Sequence, residues 1–122
     1  MEIQAPAKLL LVYIDETDTW SEARVPLYEA IVQMLFDHKI AGATVHSGVV
    51  GFGVARRLHK RRLFGVTDKK PLTISVVENE QKLRQLLPRL KTMVREGLIV
   101  LVDAEVLHHG RGDSDSGGVR PE

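Results

Sequence analysis

Two runs, Leu9-Leu10-Leu11-Val12 and Leu98-Ile99-Val100-Leu101-Val102, are apolar at every position. Side chains of a strand point alternately to its two faces, so a sheet with one face in water calls for alternating apolar and polar residues. These runs have no polar face. If both are strands of one sheet, that sheet must be covered on both sides. Helices within the chain cover one side, and an apolar patch left bare on the other is an association surface for which a second copy of the chain is the simplest cover. Neither run approaches the ~20 residues of a membrane-spanning helix. At 122 residues and 43% hydrophobic content the chain suits a single domain with a modest core.

The remaining elements follow from periodicity. Lys8 to Asp15 reads as a strand ending in the acidic turn Asp15-Glu16-Thr17-Asp18. Pro26 suits a first helical turn, and Leu27, Ala30, Ile31, Met34, Leu35 and His38 recur at the spacing of one helical stripe that ends at Ala41-Gly42. Ala43 to Gly48 is the next strand, with Ala43, Val45 and Ser47 on one face and Thr44 and His46 on the other. Leu72 to Glu78 is another, after Pro71. Asn79 is placed to cap a second helix over Glu80 to Glu96, with Leu83, Leu86, Leu87, Leu90 and Val94 as its buried stripe and Gly97 as its stop. Pro88 is expected to kink that helix or divide it in two. Leu98 to Val106 is the last strand. The order strand, helix, strand, strand, helix, strand predicts an α+β, ferredoxin-like βαββαβ domain with an antiparallel sheet and both helices on one face. Residues 1–107 form this domain. The polar, Gly-rich residues 108–122 read as a flexible tail.

Net charge is only +1, so any electrostatic function rests on local clustering. Arg56, Arg57, Lys60, Arg61, Arg62, Lys69 and Lys70 share one segment whose only acid is Asp68. This segment lies between the second and third strands, in a connection of roughly twenty residues, far longer than an ordinary hairpin loop. It opens with Gly48-Val49-Val50-Gly51-Phe52-Gly53. The P-loop pattern fails because Val54 and Ala55 stand where Lys and Ser or Thr are required, and the dinucleotide pattern fails because Arg56 occupies its third glycine position. What remains is backbone freedom beside Arg56, Arg57 and His59. From the residues alone this reads equally as a strand-end bulge with a solvated basic loop or as an anion site. A nucleic-acid-binding module built on the same loop is the alternative, thinly supported because only Phe52 and Phe64 are available for stacking.

Other chemistry is sparse. There are no cysteines, and the five histidines lack ligand spacing, so no metal or cofactor is expected. Ser21, Ser47 and Ser75 have no recognisable base, and no carboxylate pair stands out, so the chain does not read as an enzyme. Arg111-Gly112-Asp113 is a chance adhesion tripeptide in a polar tail, and Trp20 is best explained by packing. The opening residues MEIQAPAK carry no signal-peptide pattern, and a soluble, cytoplasmic protein is expected.

The stretch PLYEAIVQMLFDHKIAGATVHSGVVGFGVARRLH, with LLVYIDE before it and LPRLKTMVREGLIVLVDAEV after it, resembles the uncharacterised family called domain of unknown function 190, a branch of the PII-like superfamily. The resemblance spans Lys8 to about Leu107 and rests on Gly42 to Val45, Gly51 to Gly53 and Arg57 with His59. It implies a ferredoxin-like protomer in a homotrimer with the sheets facing inward. It also implies a long T-loop, here Gly51 to Lys70, that docks on a target such as a membrane transporter or an enzyme. A small ligand, often an adenine nucleotide, would bind in the intersubunit clefts at the loop base. The implied ligand set is Gly48, Gly51, Phe52, Gly53, Arg56, Arg57 and His59. The chain departs from true PII proteins in having Arg95-Glu96-Gly97-Leu98 where they carry a glycine-rich phosphate loop with a lysine, and in lacking an obvious modification tyrosine in the T-loop.

Overall fold

Strand β1 (Ala7–Asp15) buries Leu10, Val12 and Ile14 on one face and turns Leu9, Leu11 and Tyr13 to the other. The computed structural model describes residues 6–20, 24–49, 52, 70–110 and 112. Beyond β1 the chain makes a tight turn in which Asp15 Oδ1 accepts hydrogen bonds from the Thr17 N–H and hydroxyl, both at 2.9 Å. A short ribbon that periodicity does not predict follows, pairing β2 (Thr19–Trp20) with β3 (Val25–Pro26). Trp20 packs against the core from this ribbon, as expected, and the Arg89 guanidinium lies over its ring at 5.4 Å.

Helix α1 (Leu27–Asp37) starts one residue after Pro26, and its Leu27 N–H donates to the Asp18 carbonyl at 2.8 Å. It buries Leu27, Ile31, Met34 and Leu35. His38 does not continue that stripe. It is exposed at the C-cap, its Nδ1 2.8 Å from the Met34 carbonyl. The helix also stops earlier than Ala41-Gly42. Lys39 takes the left-handed conformation (φ 64°), its N–H donates to the Phe36 carbonyl, and the Ile40 N–H donates to the Leu35 carbonyl at 3.2 Å. This is a Schellman turn with lysine where glycine is usual, and buried Ile40 supplies its apolar contact.

Strands β4 (Thr44–Ser47) and β5 (Pro71–Asn79) come next, then helix α2 (Glu80–Met93) and strand β6 (Leu98–Ala104). In α2, Leu83, Leu86, Leu90 and Met93 are buried, while Leu87 and Val94 pack partly against the core. Asn79 holds the N-cap position without a side-chain cap bond. The Glu80 N–H, at the first helical position, donates to the Pro6 carbonyl at 3.1 Å. Pro88 does not divide the helix, which runs unbroken to Met93. Pro88 is exposed, so the ladder bond it deletes lies on the solvent side, where water can take the Arg84 carbonyl. The helix ends before Glu96, and β6 before Val106. Gly97 therefore serves strand entry and not the helix stop. Its φ is +155°, and an added Cβ would fall 2.4 Å from the Tyr13 carbonyl oxygen.

The main sheet has the order β4-β5-β1-β6, every neighbour antiparallel. With two helices this is the expected α+β, ferredoxin-like arrangement. In register, Leu11 stands opposite Ser75 on one side and Val100 on the other. Lys8 and Asp103 form an ion pair across β1 and β6 that holds the Asp103 carboxyl below its usual range. The stabilisation this adds is lost as pH falls through that lowered value, and salt screens it because Asp103 is exposed. The face away from the core cluster carries Leu9, Leu11, Tyr13, Val100, Leu98 and Val102, the last two 53% and 42% exposed. Among the described residues no helix is long and apolar enough to cross a membrane. Replacing Pro88 with Ala restores a helical hydrogen bond at an exposed site, and equilibrium urea unfolding should show a gain of about 1–3 kcal/mol.

Candidate ligand site

The long basic connection leaves and re-enters the sheet at one end, where β4 finishes and β5 begins. The Gly48 N–H donates to the Pro71 carbonyl at 2.7 Å, closing the base on one side. On the other, the Glu16 N–H donates to the Lys70 carbonyl at 3.0 Å, and the Lys70 N–H donates to Glu16 Oε1 at 2.6 Å. The β1–β5 ladder thus continues one step past Asp15 and Pro71, with a carboxylate taking the place of a backbone acceptor. Gly48 is required by proximity, because an added Cβ would lie 2.7 Å from Pro71 Cγ. Of the implied ligand residues, Gly48 forms this base and Phe52 is exposed. Gly51, Gly53, Arg56, Arg57 and His59 lie outside the described residues.

A cleft of about 390 Å³ opens on the face of the sheet away from the helices. Leu9 and Val77 give it an apolar floor, Thr44 and Ser75 bring hydroxyls, and the backbone of Ala41 to Ala43 forms one wall. His109, half-buried, borders it as well, which brings the chain beyond residue 107 back to the sheet. Such a mixture suits a flat ring with polar edges: apolar contact beneath, hydroxyls at the rim. The Ser75 hydroxyl lies 3.4 Å from His46 Nε2, wider than the about 2.6–3.2 Å of an activated nucleophile. A second cleft of about 440 Å³, beside the helices, mixes Asp18 and Glu96 with Arg95 and so favours no single charge.

Thr44 lies within the Gly42 to Val45 motif on which the family resemblance rests, though it is not among the implied ligand residues, and Ser75 has no recognisable base in the sequence. Neither advertises a pocket by spacing, since the floor comes from β1 and β5, far apart in the chain. Glu78 is the residue a pattern could have flagged: it shares parity with Leu72, Ile74 and Val76 and is therefore an acid on the buried face. It is 1% exposed, and its Oε1 accepts the Ala41 N–H at 2.8 Å.

An antiparallel α+β sheet of four strands with two helices, its apolar outer face carrying a cleft, defines a class of small ferredoxin-like proteins. Residues 7–106 match the family DUF190, described as "Uncharacterized ACR", and the chain belongs to that family. It is similar to a UPF0166 protein of Aquifex aeolicus, 27% identical over 101 residues that cover 83% of this chain and 93% of the relative. It is also similar to the UPF0166 protein MJ1524 of Methanocaldococcus jannaschii, 33% identical over 101 residues, 82% of this chain and 91% of the relative. The close packing at the loop base is testable: Gly48→Ala should cost about 1–2 kcal/mol in urea unfolding, since Pro71 must move to admit the methyl.

Proposed function

We propose that this protein is a PII-like regulator and not an enzyme. It works in the cytoplasm as a homotrimer formed through the open sheet face. Each copy binds a small anionic metabolite, an adenine nucleotide, and the basic segment 51–70 reports occupancy to a partner, a transporter or an enzyme. The observation that carries the reading is the position of the cleft. It opens on the same apolar face that needs a cover, so association would close it between subunits. The base would rest on Leu9 and Val77, with Thr44, Ser75 and the wall backbone at its edges. From Thr44 to Ser47 is three residue steps, about 10 Å along β4. That is the span of a nucleoside phosphate, which would put the phosphates at the Gly48–Pro71 end of the sheet, where the segment that carries Arg56 and Arg57 begins in sequence. Guanidinium forks suit phosphate oxygens. Coupling would take the form of ordering in the loop.

Native mass spectrometry of the full chain should give three subunits, and a purely monomeric spectrum would remove the assembly. Thermal shift with ATP, ADP, AMP and inorganic phosphate should show a rise of several degrees with at least one nucleotide at millimolar concentration. The Arg56→Ala, Arg57→Ala double variant should lose most of that rise and keep the trimer. No rise with any nucleotide, combined with salt-dependent retention on single-stranded RNA, would turn the reading to a nucleic-acid-binding module.

A further inference from the structure

The wall of the cleft is not held by strand pairing. Residues 39–43 lie between the end of α1 and the start of β4, and two side chains from the β5–α2 junction grip them. Glu78 Oε1 accepts the Ala41 N–H at 2.8 Å, and Oε2 accepts the Asn79 N–H at 3.0 Å. Lys82 Nζ stands 3.8 Å from Glu78 Oε1 and donates to the Lys39 carbonyl at 2.8 Å. Lys39 is one of two described non-glycine residues in the left-handed region, with Arg24, so Lys82, which balances a buried carboxylate, also steadies a strained turn. For stability alone an apolar residue at position 78 would serve as well, because a buried ion pair rarely outperforms its hydrophobic equivalent. What the pair does that an apolar residue could not is hold a backbone N–H and a carbonyl at fixed places immediately before the wall. Gly42, in the middle of the wall, has nothing within 4 Å of an added Cβ. Bare backbone thus faces open space there, and the fold leaves that space unfilled.

We infer that Glu78 and Lys82 are positioning residues for the cleft: through Ala41 and Lys39 they set the wall Ala41 to Ala43 against the floor at the separation a flat ligand ring requires. This rests on reading the cleft as the ligand site. Neither residue touches the ligand. Both act by removing the wall's freedom before binding, so less order has to be imposed when the ligand enters.

The test uses the full chain with ADP as probe, measuring affinity by calorimetry, wall mobility by amide exchange at Ala41 to Ala43, and melting temperature. Glu78→Gln leaves a buried carboxamide beside the Asn79 N–H and will lower the melting temperature, so Lys82 carries the comparison. Lys82→Gln keeps the Glu78 bonds to Ala41 and Asn79 but removes the cation beside the buried carboxylate, so it should lower the melting temperature by several degrees and, read well below that temperature, speed exchange at Ala41 several-fold and weaken ADP about five- to tenfold. Lys82→Arg should restore both. Gly42→Val should abolish ADP binding at unchanged melting temperature. Wild-type protein that fails to bind ADP overturns the nucleotide reading and this role with it. Wild-type binding with unchanged exchange or unchanged affinity in Lys82→Gln overturns the positioning role alone.

Discussion

The central place of β1, paired along both edges and packed on the core by one face, is the constraint from which the rest of this structure follows. It pairs with β5 along one edge and β6 along the other, and the core cluster covers its Leu10, Val12 and Ile14. Because Leu9 and Leu11 are as apolar as their neighbours, β1 has no polar face to say which side belongs inside. Its register must come from its partners. Strand β5 supplies it: Leu72, Ile74, Val76 and Glu78 are buried, and Thr73, Ser75 and Val77 face outward. Gly97 adds a second constraint, since only a residue without Cβ lets the chain turn into β6 beneath the Tyr13 carbonyl.

The candidate site is a consequence of the same arrangement. Once β5 alternates, its outward hydroxyl at Ser75 stands beside Thr44 of β4 in register, and outward Val77 lies opposite Leu9. The cleft is therefore floored by the outward faces of β1, β5 and the start of β4. Its wall depends on the last inward position of β5, where an acid replaces a hydrophobe and reaches across to the turn after α1. A single strand thus sets the core, the floor and the wall. The loop base belongs to the opposite end of that strand, where Pro71 and Lys70 meet Gly48 and Glu16.

Most of the architecture was legible along the chain. Helical and strand periodicity placed both helices and four strands, and the doubly apolar runs identified a sheet with a second face to cover. The errors share a cause. His38 fitted the helical spacing but fell beyond the last helical residue, because a Schellman turn formed on Lys39 where no glycine announced it. Pro88 was expected to kink α2 or divide it, and it does not divide it: four buried side chains hold the helix to the sheet and the proline faces water. The ribbon of Trp20 and Val25 was invisible because two-residue strands have no period. Of the site, Gly48 was singled out and proved to be a close-packed loop base. Thr44, Ser75 and His109 were not, since nothing local marks residues that meet only across the sheet, whereas the parity of Glu78 with Leu72, Ile74 and Val76 did mark an acid on the buried face.

The sequence by itself determined the order of elements, the identity of the core stripes and the apolar outer face, because those depend on local periodicity and on the transfer of side chains out of water. Only the tertiary structure decided which residues become neighbours. It brought Glu78 to Ala41, Lys82 to Lys39, and Leu9 to Val77, because hydrogen bonds and pockets require distances of a few ångströms between positions that are remote in the chain. Periodicity carries no record of such distances, so the wall of the cleft became visible only when the strands were paired.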